Sequence, residues 1–415
     1  MPKSPIELGA TLAHANGTTT TGSLESRATI IIVTCALALS GCAELASLFF
    51  IQPLLPKLAI VYGVKVSQVS IIMSAETALL ALGLLFTGTL SDRFGRKQLI
   101  VVSLLVGGLL TILCPLATSW TELVVLRALI GLSLSGIAAA AAAYISEEVV
   151  PVLATVVTGY FVFGNSVGGM AGRVIASQLM NSRPLGTIFF LFGAILISVG
   201  VFVGIFLPAQ RKISGVSSPD VMAIVRDGAQ HIRNLNISLV FVVSFVIFGS
   251  FTALYNFLAF HLHHAPFNMS YAHAGLISTC FVVSFITAPL SGKLAVKHGA
   301  MNVLSGLLFT MVVAIVLTAL ATTAWTFIAG VILFTAAFFG CHAIGLAWVS
   351  KNARQAKGQA TAFYLFSYYI GGSIVGYVAG LIFVRFDWTG LASFLSALLI
   401  GAIGVTRVLQ GRMAA

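Results

Sequence analysis

The stretch GTLSDRFGRK, Gly88 to Lys97, places Asp92, Arg93, Arg96 and Lys97 within six positions of a chain that is only 8% charged. The sequence on either side of it is apolar for about 20 residues, the length that crosses roughly 30 Å of hydrocarbon. The stretch therefore reads as a turn between two membrane spans, and the same pattern recurs along the chain. Apolar runs cover 28–52, 67–89, 98–117, 121–144, 152–179, 186–207, 237–261, 273–291, 300–321, 325–348, 358–384 and 388–406. They are too long and too continuously apolar for barrel strands, so helices are expected.

Composition agrees: 59% of the 415 residues are hydrophobic, more than a soluble core can hide. The five cysteines all lie in apolar runs and read as packing residues, which excludes a disulfide framework. The formal charge of +11 does not point to nucleic acid, because the bases lack a soluble face to occupy. Sixteen of the 22 Lys and Arg fall in tails and loops on the side of the amino terminus, among them Lys3, Arg211, Lys212, Arg226 and Arg354. Lys57, Lys65, Arg183 and Arg385 fall on the other side, and Arg127 and Arg173 lie within spans. An excess of basic residues on one side predicts that both termini are cytoplasmic.

The expected organisation is a disordered tail without a signal peptide over 1–27, a six-helix bundle over 28–207, a cytoplasmic loop over 208–236, a second bundle over 237–406 and a short tail over 407–415. The halves repeat. Gly88, Leu90 and Gly95 recur as Gly292, Leu294 and Gly299, a shift of 204; Thr158, Phe163, Gly168 and Gly169 recur as Thr361, Phe366, Gly371 and Gly372, a shift of 203; Trp120 and Thr121 recur as Trp325 and Thr326, a shift of 205. The fold class is thus an all-α membrane protein with twelve transmembrane helices in two parallel six-helix repeats, as in two-bundle secondary transporters.

The opening stretch resembles the loop signature of the major facilitator superfamily between spans 2 and 3. Arg127 and Gly131 in LRALIGLSLSG resemble its span-4 motif, and GNSVGG at 164–169 is similar to the span-5 antiporter motif, with Asn165 where that motif has proline. The phrases RALIGLSLSG and FYLFSYYIGGSI resemble the YnfM-like branch of the twelve-span drug:proton antiporters. The resemblance implies that Gly88, Asp92, Arg93, Gly95 and Arg96 form a conformational latch, Asp92 holding the first bundle to its neighbour in the outward-facing state. Plain topogenic charge would suffice for Arg96 and Lys97. Gly88 and Gly95 are expected to permit a tight turn and close backbone approach, and Gly164, Gly168, Gly169, Gly371 and Gly372 to pack helices.

Ionisable groups inside a membrane are costly and functional by default. Glu44, Glu76, Arg127 and Arg173 come from four helices of one bundle and lie about 9–13 Å below the outer helix ends. Burial and neighbouring charge can tune such a set to titrate near neutral pH, so these four are the candidate proton-coupling residues. Two internal salt bridges would use the same residues, and Arg173 has the alternatives of pairing with a carboxylate or snorkelling to the surface. In the second half, Tyr255, Asn256, His342, Phe366, Tyr368 and Tyr369 combine aromatic area with polar handles and are the candidate substrate-binding residues.

The expected function is proton-coupled efflux of small lipophilic compounds, cationic or neutral, across the inner membrane by a monomer in contact with lipid. Efflux or uptake of a sugar or other polar metabolite is the alternative on the same fold, and a non-transporting sensor the alternative of another class. No nucleophile, base and orienting group occur together, so the chain is not expected to be an enzyme. No nucleotide-binding loop is present, and the proton is the only coupling agent expected, without an organic cofactor or metal. His261, His263 and His264 are discounted as metal ligands because no acidic or cysteine partner is near them in the sequence.

Overall fold

The computed structural model describes residues 27–210, 233–353 and 357–414. The tail 1–26, most of the polar interval between the halves, and Lys3, Arg211, Lys212, Arg226 and Arg354 lie outside the described residues.

The described chain is helical, and its spanning segments are α1 Ala28–Tyr62, α2 Val66–Phe94, α3 Arg96–Leu116, α4 Trp120–Glu148, α5 Pro151–Leu179, α6 Leu185–Phe206, α7 Leu235–His263, α8 Tyr271–His298, α9 Ala300–Ala319 and α10 Ala324–Asn352. The last segment, Gly358–Met413, holds α11 and α12 on either side of Asp387, whose φ of 55° and ψ of −160° break the helix. The ends are set by local chemistry. Capping boxes start α4 (Ser119 with Glu122) and α10 (Thr323 with Thr326), satisfying N–H groups that a helix start leaves unpaired. Gly95 and Gly299 part α2 from α3 and α8 from α9 at φ of 100° and 86°, a backbone region that favours glycine.

The packing repeats as the sequence does. Helix α1 packs on α5, α2 on α4, and α3 on α4 and α6; correspondingly α7 packs on α11, α8 on α10, and α9 on α10 and α12. The closest seams match residue by residue. A methyl group added to Gly168 would collide with the carbonyl of Cys42, and one added to Gly371 with the carbonyl of Phe245. Both pairs are separated by the same 203 positions that relate the glycines. Gly164 and Gly172 sit equally close to the backbone of Ala38 and Ala46, so three glycines four residues apart let α5 lie directly on α1.

Among the described residues the contacts between the two halves lie away from the charged turn and reach the middle of the spans, where Phe163 and Phe285 have ring centres 4.7 Å apart. At the end away from the Gly88–Lys97 turn, α2 packs on α11 and α5 on α8. There Ser74 Oγ donates to the carbonyl of Ser373 at 2.7 Å, and Gln178 Nε2 to that of Ala272 at 2.8 Å. Towards the charged end α5 and α8 become exposed: over 151–160 only Val157 is buried, and over 289–299 only Ser291. Exposed apolar side chains such as Phe190, Ile205 and Phe309 cover the outer faces, as lipid contact requires.

Candidate functional site

The four charges of the first half separate into three different environments. Glu76 and Arg127 form an ion pair, both wholly buried between α2 and α4. Gly131 allows it, because its Cα faces the carbonyl of Glu76 and leaves no room for a side chain. Arg127 Nη2 also donates to the carbonyls of Ser47 and Leu48 at 3.1 and 3.3 Å, and the guanidinium lies 5.1 Å from the Phe50 ring. Its Nε and Nη1, and Glu76 Oε1, have no hydrogen-bond partner.

Glu44 stands apart. It is 2% exposed, and its Oε2 has no hydrogen-bond partner. Of the two salt bridges that four charges could make, only one exists.

Arg173 neither pairs with a carboxylate nor reaches the surface. It is 1% exposed, and its guanidinium lies 4.1 Å from the Phe49 ring, 4.7 Å from Phe281 and 5.2 Å from Tyr255. Its Nε donates to Gln52 Oε1 at 2.6 Å and its Nη1 to the carbonyl of Gly169 at 2.6 Å. Gln52 in turn donates from Nε2 to Asn256 Oδ1 at 2.8 Å, which carries the connection into the second half. Gly169 thus faces this aromatic box and not the α1 seam, and Gly372 likewise faces the Phe248 ring. Sequence reasoning missed Gln52, Phe49 and Phe281. The signal for Gln52 was an amide in the apolar run FFIQPLL; the phenylalanines offered none, being two of 30.

The second-half candidates divide. Tyr255 is buried in the seam, its hydroxyl 2.8 Å from Thr335 Oγ1 and 3.1 Å from Cys280 Sγ. Tyr368 stacks on Phe248 with ring centres 3.9 Å apart, Tyr369 meets the same ring edge-on at 5.2 Å, and His342 lies 4.6 Å from Tyr368. These three form one aromatic wall. Phe366 is not part of it and has its ring contact with Phe363 at 6.4 Å.

At the charged end Arg96 is the centre of a cluster and more than topogenic charge. It is buried, ion-paired with Asp92, and bidentate to Glu147 at 2.8 and 3.2 Å, with Ser91 Oγ at 2.7 Å from its Nη1. It thereby ties α2 and α3 to the end of α4. Arg93 is exposed beside Phe94. Gly95 makes the turn, whereas Gly88 lies within α2 with open space around it, so no close approach explains that glycine. The Asn165 side chain lies against Gly41 of α1. At the far end, His261 does have an acidic neighbour: Asp387 comes within 3.9 Å, and His261 stacks on Trp388 at 4.7 Å. Among the described residues no three potential metal ligands converge.

A two-repeat helical membrane protein, with ion-paired and unpaired charges buried near a seam between its halves, has the architecture of a secondary transporter. The sequence profile of the Major Facilitator Superfamily matches residues 37–376 and, in a second match, 240–412. The chain belongs to that superfamily. It is 36% identical over 384 residues to the inner membrane transport protein YnfM of Escherichia coli (strain K12), covering 92% of this chain and 91% of that one. Among solved structures it resembles the nucleoside transporter NupG, with a TM-score of 0.76 at 12% identity over 91% of this chain and 99% of that one. It also resembles the human organic anion transporter MFSD10, with a TM-score of 0.69 at 16% identity over 91% and 99%. These two likenesses concern the fold alone.

Proposed function

We propose that this transporter is a proton-coupled exporter of small lipophilic compounds in the inner membrane, working by alternating access with Glu44 as the group that takes up and releases the proton. The observation that carries the reading is the isolation of Glu44: a buried carboxyl on α1 with an unpartnered oxygen and no cation paired to it among the described residues. Glu76 is less suited to that task, because Arg127 already neutralises it. With both termini cytoplasmic, the closed far end is the outer one and the parted helices face the cytoplasm, where an exporter loads. A proton arriving from outside in the alternate state would be displaced as cargo binds. Each charge moved through about 100 mV supplies about 2.3 kcal/mol to that cycle.

Two acidic groups in the path would favour cationic cargo. Since one of them is ion-paired, that preference loses half its basis, and the neighbours' cargoes range from nucleosides to organic anions. The test is substrate-triggered proton movement in inverted vesicles across a panel of lipophilic acids, bases and sugars. Wild type should release protons with at least one lipophilic compound, and Glu44→Gln should abolish the response. A response unchanged in Glu44→Gln removes Glu44 from the coupling path, and a response to sugars alone replaces the lipophilic cargo with a polar metabolite.

A further inference from the structure

Arg173 is a buried cation for which the described residues supply no counter-ion. Its contacts are an amide oxygen, a backbone carbonyl and ring faces, and its Nη2 has no hydrogen-bond partner. Arginine can only donate, so Gln52 must turn its oxygen to Arg173 and its NH2 to Asn256. Asn256 must answer with its own oxygen, which leaves its Nδ2 over, and that atom too is buried without a partner. The relay therefore starts and ends in an unused donor. It carries one positive charge, and each of its amide oxygens is already in use.

Alternating access requires the far-end seam to part. Asn256, Tyr255 and Phe281 belong to the second half and would leave, while Arg173 would keep Gln52, Gly169 and Phe49 from its own half. A guanidinium that loses its ring faces needs an acceptor, and a carboxylate matches its fork of N–H groups better than a single polar atom does. We propose that Arg173 binds the acid group of the transported compound, so that the cargo class is lipophilic carboxylates, with the apolar body of the cargo lying on the rings at the seam. The inference rests on the transport reading above but not on the identity of the proton carrier.

Binding to the full-length protein in lipid nanodiscs tests it, with benzoate, benzamide and benzyltrimethylammonium as probes and equilibrium dialysis as readout. Benzoate should bind at least ~10-fold more tightly than the other two, the factor that a charged hydrogen bond confers. Gln52→Glu sets a carboxylate where the amide oxygen now lies 2.6 Å from Arg173 Nε. It should lower benzoate affinity about 10–100-fold while raising the melting temperature. Arg173→Gln should lower it by the same factor, and because Gln52→Glu keeps the side-chain shape, the test survives if Arg173→Gln does not fold. No benzoate binding to wild type, or equal affinity in Gln52→Glu, overturns the inference. Failure here with proton release intact in vesicles leaves the coupling proposal standing; benzoate binding without proton movement has the opposite meaning.

Discussion

Single residues in this molecule differ in how their burial is compensated. The pair Glu76 and Arg127 is compensated internally, which makes it costly to break and cheap to replace as a unit. Arg127→Met leaves a wholly buried carboxylate and should destabilise the protein by about 3–5 kcal/mol. The double variant Glu76→Leu with Arg127→Met should recover most of that loss, as read from melting of the purified protein. If the double variant melts as early as the single one, the pair is not what Arg127 contributes. Recovery of stability without recovery of transport would assign the pair to the cycle itself. The four membrane charges were legible because an ionisable group stands out in an apolar run. Gln52 was not, since an amide at position 52 coincides with the end of the apolar stretch and reads as its boundary. Arg173's ring partners come from α1, α7 and α8, and their convergence depends on how the two halves meet, which spacing along the chain does not encode.

Helices pair through glycine where backbones touch and through side chains elsewhere, so the same residue type has opposite consequences along one chain. At Gly168 the Cα lies against the Cys42 carbonyl, in the middle of a seam that also uses Gly164 and Gly172. Gly168→Leu should force α5 off α1 and leave little folded protein, measured as monodisperse yield on size exclusion. Gly306, within α9, has open space around it, and Gly306→Ala should stabilise the protein by about 0.5–1 kcal/mol, the entropy cost of glycine in a helix. Comparable yields from the two variants would remove the close seam as the reason for these glycines. At this scale the sequence is informative: equal offsets of 203–205 between motifs became equal packing of α1 on α5 and α7 on α11. It was less informative about which glycine of each adjacent pair takes the seam. Gly168 and Gly371 do, and Gly169 and Gly372 turn to the rings, because only one residue in four of a helix faces a given neighbour.

For the molecule as a whole, the sequence has to encode two arrangements of the same halves, so no reading of it can say which one is populated. The structure has one of them, closed at the far end by α2 on α11 and α5 on α8 and parted towards the charged turn. A rigid-body cycle requires that closure to be temporary. Ser74 and Gly376 face each other across it, with a methyl group on Gly376 placed 3.8 Å from the Ser74 hydroxyl, so cysteines at both positions are within reach of a disulfide. Oxidising Ser74→Cys with Gly376→Cys should cross-link the halves and stop transport in vesicles, and a reductant should restore it. The single cysteine variants serve as controls and should transport before and after oxidation. Benzoate binding should be lost with the cross-link, because the closed seam keeps Arg173 enclosed among the rings of both halves. If transport continues with the disulfide formed, the far end does not open during the cycle. The proposed exposure of Arg173 to cargo at the seam would then fail with it, whereas Glu44, buried on α1 without a paired cation, would remain available as a proton site.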